Sequence, residues 1–107
     1  MVASGMVLLA GCQRSDDALL GAVTAQTRPP ACATIDRSSL RRGVGGARRG
    51  DYRIAVRADA ACLQRWTTDL AAHGFRCLSY CAHAEPDAGI AISRARSGAI
   101  ISGWSTT

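Results

Sequence analysis

In the stretch "DYRIAVR", Tyr52, Ile54 and Val56 alternate with Arg53, Ala55 and Arg57, the period of a strand with one buried face. The period then changes. In "AACLQRWTTDLAAH" the residues Leu63, Trp66 and Leu70 recur on one face at helical spacing, with Asp59 placed to cap the start and Gly74 to supply the left-handed residue that ends the helix. Strand spacing resumes in "FRCLSY", and "GIAIS" with "GAIISGW" reads as a hairpin joined through Arg94 to Ser97. The order β-α-β-β-β predicts a small α+β head over 51–107, one helix packed on a four-stranded sheet. Its first strand, helix and second strand are expected to form a right-handed crossover between parallel strands.

The preceding stretch looks different. From Arg14 to Gly50 large apolar residues are sparse and Ser, Thr, Gly, Pro and Arg are frequent, which predicts a flexible tether over 12–50. Within it, "ALLGAV", Ala18 to Val23, reads as a helical turn or as a stretch lying on a membrane interface, and Pro29 with Pro30 ends any regular structure there. No internal repeat is visible.

Composition narrows this picture. The chain has 107 residues, aromatic content is 5%, and Phe75 is the only phenylalanine, so the core is thin and cross-links or partners are expected to help stabilise it. The formal net charge is +5, and every basic residue is arginine, which favours phosphates and carboxylates as partners. An all-arginine, alanine-rich composition also fits the codon usage of a GC-rich genome.

The sharpest local signal is "MVLLAGCQ", an apolar run that stops on a cysteine. It is too short to span a bilayer. Leu9, Ala10, Gly11 and Cys12 instead resemble the lipobox of a bacterial lipoprotein signal. That resemblance implies cleavage between Gly11 and Cys12, a diacylglyceryl group on the Cys12 sulfur, and an attachment that two or three acyl chains make effectively permanent. Residues 1–11 would be the end of the signal. No charged residue precedes Arg14, whereas secretory leaders open with a basic region, so the leader is expected to begin upstream. Gln13 follows the cysteine where the family's inner-membrane retention signal carries aspartate, which implies an outer-membrane, periplasm-facing destination.

Cysteine usage fits that compartment. Setting Cys12 aside leaves Cys32, Cys62, Cys77 and Cys81, an even number outside the reducing cytosol. Cys62 lies about 18 Å along the helix from Gly74, and Cys81 about 20 Å along a straight strand from Phe75. The spacing predicts a Cys62–Cys81 disulfide, with Cys77 reaching back to Cys32. A rival set, His73, Cys77, Cys81 and His83, has the chemistry of a zinc shell but lacks a C-x-x-C pair, so no metal or other cofactor is assigned.

Enzymatic signatures are missing from the sequence. "GVGGARRG" fits neither the dinucleotide fingerprint nor a P-loop, no serine sits in a nucleophile elbow, and the pairs Asp16/Asp17 and Glu85/Asp87 read as solvated loop carboxylates. No small-molecule substrate is indicated. Arg41, Arg42, Arg48 and Arg49 form a candidate anion-binding cluster for lipid phosphates or peptidoglycan carboxylates. Without interleaved aromatic residues the cluster is a poor nucleic-acid platform.

A second resemblance covers Tyr52 to Tyr80. "YRIAV", the alanine-rich helix and "AAHGFRCLSY" resemble half of a sporulation-related repeat, which implies a βαβ-type unit that binds peptidoglycan glycans. Two strands stand where the second half of that repeat would be. The expected protein is a non-catalytic envelope lipoprotein whose head contacts another envelope protein or peptidoglycan, with a periplasmic inhibitor or immunity lipoprotein as the alternative.

Overall fold

The computed structural model describes residues 15–43 and 51–105. The lipobox, Cys12, Arg48 and Arg49 lie outside that set. Within it the chain forms α1 (Asp16–Thr27), β1 (Thr34–Arg42), β2 (Tyr52–Arg57), α2 (Ala60–Ala72), β3 (Arg76–Cys77), β4 (Cys81–Glu85), β5 (Ala88–Ala95) and β6 (Gly98–Ser105). The strands make one six-stranded sheet in the order β1-β2-β6-β5-β4-β3, and every neighbouring pair is antiparallel.

The α+β class stands, and the sheet is larger than four strands. β2 and β6 pair from Tyr52↔Gly103 to Arg57↔Gly98, and β6 and β5 lie side by side at the centre of the sheet. One row crosses the sheet through Ile54, Ile101, Ile92 and Cys81, all buried. Period two keeps these side chains on one face, and the helices cover that face with Val23, Leu63, Trp66 and Leu70. Each fully buried large aliphatic contributes about 1.5–3 kcal/mol of transfer free energy.

The expected crossover is realised in altered form. β2 and β3 do run in the same direction, but three strands separate them in the sheet. Helix α2 behaves as its periodicity predicts: the Asp59 carboxylate accepts from the Cys62 amide at 2.8 Å, and Gly74 adopts φ +97° just past the helix end.

The tether is the main correction. Residues 16–42, expected to be flexible, supply a helix and an edge strand. Ser15 caps α1 by accepting from the Ala18 amide at 3.1 Å, and Asp16 and Asp17 sit in its first turn, where carboxylates complement the helix dipole. Asp16 pairs with Arg42 at 2.9 Å, and Asp17 pairs with Arg37, so β1 supplies the cations that hold α1's first turn. In β1 the register shifts between Asp36 and Arg41. Through that bulge the Ser39 hydroxyl accepts from the Ala55 amide at 2.7 Å and donates to the Asp36 carbonyl at 2.7 Å, satisfying backbone groups that the shifted ladder leaves over.

The disulfides are also corrected. Cys32 joins Cys62, and Cys77 joins Cys81; neither expected pair forms. A straight strand from Phe75 to Cys81 was the error. The chain turns back after Cys77, so Cys77 and Cys81 face each other across the β3–β4 pair. Cys32, in the α1–β1 connection, is thereby free to reach the first turn of α2.

Candidate functional site

The face of the sheet away from the helices carries mostly small side chains. Ser102, Ala91 and Ala82 stand in one cross-sheet row and Gly89 and Ala84 in the next, and no described element covers them. They form the floor of a shallow groove of about 420 Å³, walled by Tyr80 on one side and Trp104 on the other, with Arg53 and Asp51 at its end. The small floor explains the wall. A Cβ at Gly89 would run into the Trp104 ring, so the indole sits close over the sheet there because that position has no side chain. The result is an aromatic platform beside a row of methyl groups.

Tyr80 connects the groove to a second feature. Cys77 and Cys81 close a ring around Leu78, Ser79 and Tyr80, and inside it the Leu78 amide donates to the Tyr80 carbonyl at 2.9 Å. Leu78 is 90% exposed and Tyr80 is 51% exposed; they are the exposed large hydrophobics among the described residues. Both belong to one disulfide-closed loop.

A third feature lies at the end of the sheet where β2 stops. Arg57, Arg94 and Arg96 border an open depression of about 530 Å³ beside the first turn of α2, with Asp59 among them. Arg94 and Arg96 are neighbours at the β5–β6 turn, and the fold brings Arg57 from the end of β2 to join them. Of the arginines singled out from sequence, the two among the described residues are employed elsewhere: Arg42 binds Asp16, and the Arg41 guanidinium donates to the carbonyls of Leu40 at 3.1 Å and Ser38 at 3.4 Å.

The histidines are separated. His73 Nδ1 lies 2.8 Å from the Asp69 carbonyl and 3.4 Å from the Asp69 carboxylate at the end of α2, while the His83 ring packs on Phe75 with centroids 5.5 Å apart. Cys77 and Cys81 are committed to each other. Among the described residues no group of three His, Cys, Asp or Glu side chains is placed to hold a metal ion, and none of their helices is long and apolar enough to cross a membrane.

Among the described residues two groups titrate away from their ordinary values. Asp36 is held low, chiefly by the hydrogen bond from the Ser38 hydroxyl at 2.7 Å, and burial pushes the Tyr52 phenol up. Asp36 is on the surface and Tyr52 lies across Gly103; both report local packing at the sheet. The groove and the ring offer shape, aromatic surface and guanidinium groups, the attributes of a recognition surface. No protein-family model matches the chain, and neither a curated protein nor a solved structure is significantly similar to it.

Proposed function

We propose that this protein is a non-catalytic lipoprotein of the bacterial envelope, anchored through Cys12 in the outer membrane and facing the periplasm, whose disulfide-stapled head contacts another envelope component. The observation that carries this reading is the cysteine pairing. Four of the five cysteines are joined in two disulfides, and the one left over is the cysteine of Leu9-Ala10-Gly11-Cys12. Stable disulfides belong to oxidising compartments, and a lipid acceptor must keep its sulfur out of them.

The folded region starts close to that sulfur. α1 begins at Asp16, four residues after Cys12, so a fully extended connection spans at most about 14 Å. The head would ride directly on the leaflet rather than on a long tether. Metabolic labelling with a fatty-acid probe tests the anchor: the full-length protein takes up label and sediments with outer membranes, and Cys12→Ser abolishes both. Unchanged labelling in that variant would refute Cys12 as the acceptor.

The groove favours a second reading, a peptidoglycan-binding module. An indole over Gly89, lining one groove with Tyr80, offers aromatic surface on which a sugar ring can stack, since the C–H face of a pyranose is apolar. Co-sedimentation with purified peptidoglycan, retained by the native protein and lost in Trp104→Ala, would support it. Equal sedimentation of the two would exclude the groove.

A further inference from the structure

We propose that the Cys77–Cys81 ring is a preorganised docking knob, and that Leu78 and Tyr80 insert from it into an apolar cleft with an acidic rim on a partner protein. This rests on the reading of the head as a contact module and names the chemistry of its partner. Folding gains nothing from a leucine that is 90% exposed. The ring around it is nevertheless fixed twice, by a disulfide and by the Leu78–Tyr80 backbone hydrogen bond. Order imposed on a leucine that buries almost nothing, beside a tyrosine that keeps half its surface exposed, lowers the entropy lost when they dock. Tyrosine and arginine are enriched among interface anchors, and Tyr80 and Arg76 flank the exposed apolar side chain of Leu78 here.

Position argues for a protein over the anchoring leaflet. The Asp16–Arg42 pair places the start of α1 beside the end of β1, where Arg42 faces Tyr52, and a chain from Asp16 to Cys12 reaches at most about 14 Å further. β1 is one edge of the sheet and β3 the other, five interstrand steps or about 24 Å away. β3 runs in the direction of β2, so the loop after Cys77 leaves at the end opposite Arg42. The knob therefore sits diagonally across the head from the anchor. Arg76 precedes the ring, is exposed, and takes no part in the ion pairs found among the described residues; it is the cation for which the partner's rim supplies a carboxylate.

The test places a benzophenone amino acid at position 78 of the full-length chain in its native cells, and at position 64, an exposed site on α2, as control. Irradiation is expected to yield one protein adduct at 78, at least about tenfold stronger than at 64, and reduced severalfold by Arg76→Glu. With the captured protein purified, Leu78→Ala should weaken binding by about tenfold or more without changing the thermal midpoint, while Arg65→Glu on α2 leaves binding unchanged. Adducts to lipid, equal adducts at the two positions, no adduct, or native binding by Leu78→Ala would each overturn the knob. The anchor is scored separately. If Cys12→Ser keeps both its location and its adduct at 78, the anchoring reading fails and the knob stands; if the native chain is membrane-held and labelled but gives no adduct, the reverse holds.

Discussion

The indole Nε1 of Trp66 donates to the main-chain carbonyl of Thr27 over 2.7 Å, both residues being buried. Thr27 is the last residue of α1, where a carbonyl has no partner within its own helix. α2 thus supplies, from a core side chain, the hydrogen bond that completes α1. The Thr27 hydroxyl donates in turn to the Val23 carbonyl at 2.7 Å. The segment expected to be a tether is tied into the core at its most protected point.

Trp66→Phe keeps an aromatic ring in the core and strands the Thr27 carbonyl away from water. A buried acceptor without a partner costs about 1–3 kcal/mol, to which the lost ring volume adds. The variant should show a lower urea midpoint, with α1 amides losing hydrogen-exchange protection before those of β5 and β6. Uniform loss across the sheet would mean that α1 is not held chiefly through this contact.

The two disulfides should differ in weight. Cys32–Cys62 spans 30 residues of sequence and Cys77–Cys81 only 4. Chain-entropy reasoning gives about 3.5 kcal/mol for the longer closure and about 2 kcal/mol for the shorter. Replacing Cys32 and Cys62 by serine should therefore lower stability more than replacing Cys77 and Cys81. Non-reduced peptide mapping checks the pairing itself, and a Cys62–Cys81 peptide would contradict the β3–β4 turn.

Three glycines lie under something else. A Cβ at Gly103 would strike the Tyr52 ring and one at Gly89 the Trp104 ring, but at Gly98 it would strike the Val56 carbonyl. A ring can tilt, whereas the carbonyl belongs to the β2–β6 pair in the middle of the sheet. Gly98→Ala is expected to cost about 3 kcal/mol or more and Gly89→Ala distinctly less. Thermal melts of the two variants rank them, and the opposite order would show that β2 and β6 separate easily at that end.

What the sequence disclosed follows from where apolar alternation is clean. Tyr52, Ile54 and Val56, the helix with Leu63, Trp66 and Leu70, and the β5–β6 hairpin all carry a regular period, and each forms close to its expected limits. β1 was illegible because its two apolar residues, Ile35 and Leu40, are five apart, and the bulge between Asp36 and Arg41 breaks period two. α1 was legible only as a helical turn over Ala18 to Val23, because Gly21 and the threonines dilute the apolar face that Leu19, Leu20 and Val23 turn to the core. The stretch "FRCLSY" shows the opposite limit of apolar spacing. Leu78 and Tyr80 alternate as a strand would, yet they face solvent, and apolar spacing alone does not distinguish a buried strand from a recognition loop. The groove was invisible for another reason. Tyr80 and Trp104 are 24 positions apart in the chain, and only pairing of β4, β5 and β6 brings them to one face.

Burial of the Tyr52 phenol gives stability a defined alkaline slope. The hydroxyl is pushed above its ordinary value because the ring is packed over Gly103 on the helix side of the sheet, where a phenolate is poorly solvated. Below about pH 10 both the folded and the unfolded chain keep this proton, and the contribution of the buried neutral ring is present in full. As pH rises past that point the unfolded chain releases its proton first, so it binds fewer protons than the folded chain and stability falls with pH until the folded phenol also ionises. Urea midpoints measured between pH 8 and pH 11 with the disulfides intact should decline in the native protein, and Tyr52→Phe should remove part of that decline while leaving the values near pH 8 almost unchanged. An identical decline in the variant would mean that the phenol stays solvated, and Tyr52 would then have to swing off Gly103 in solution.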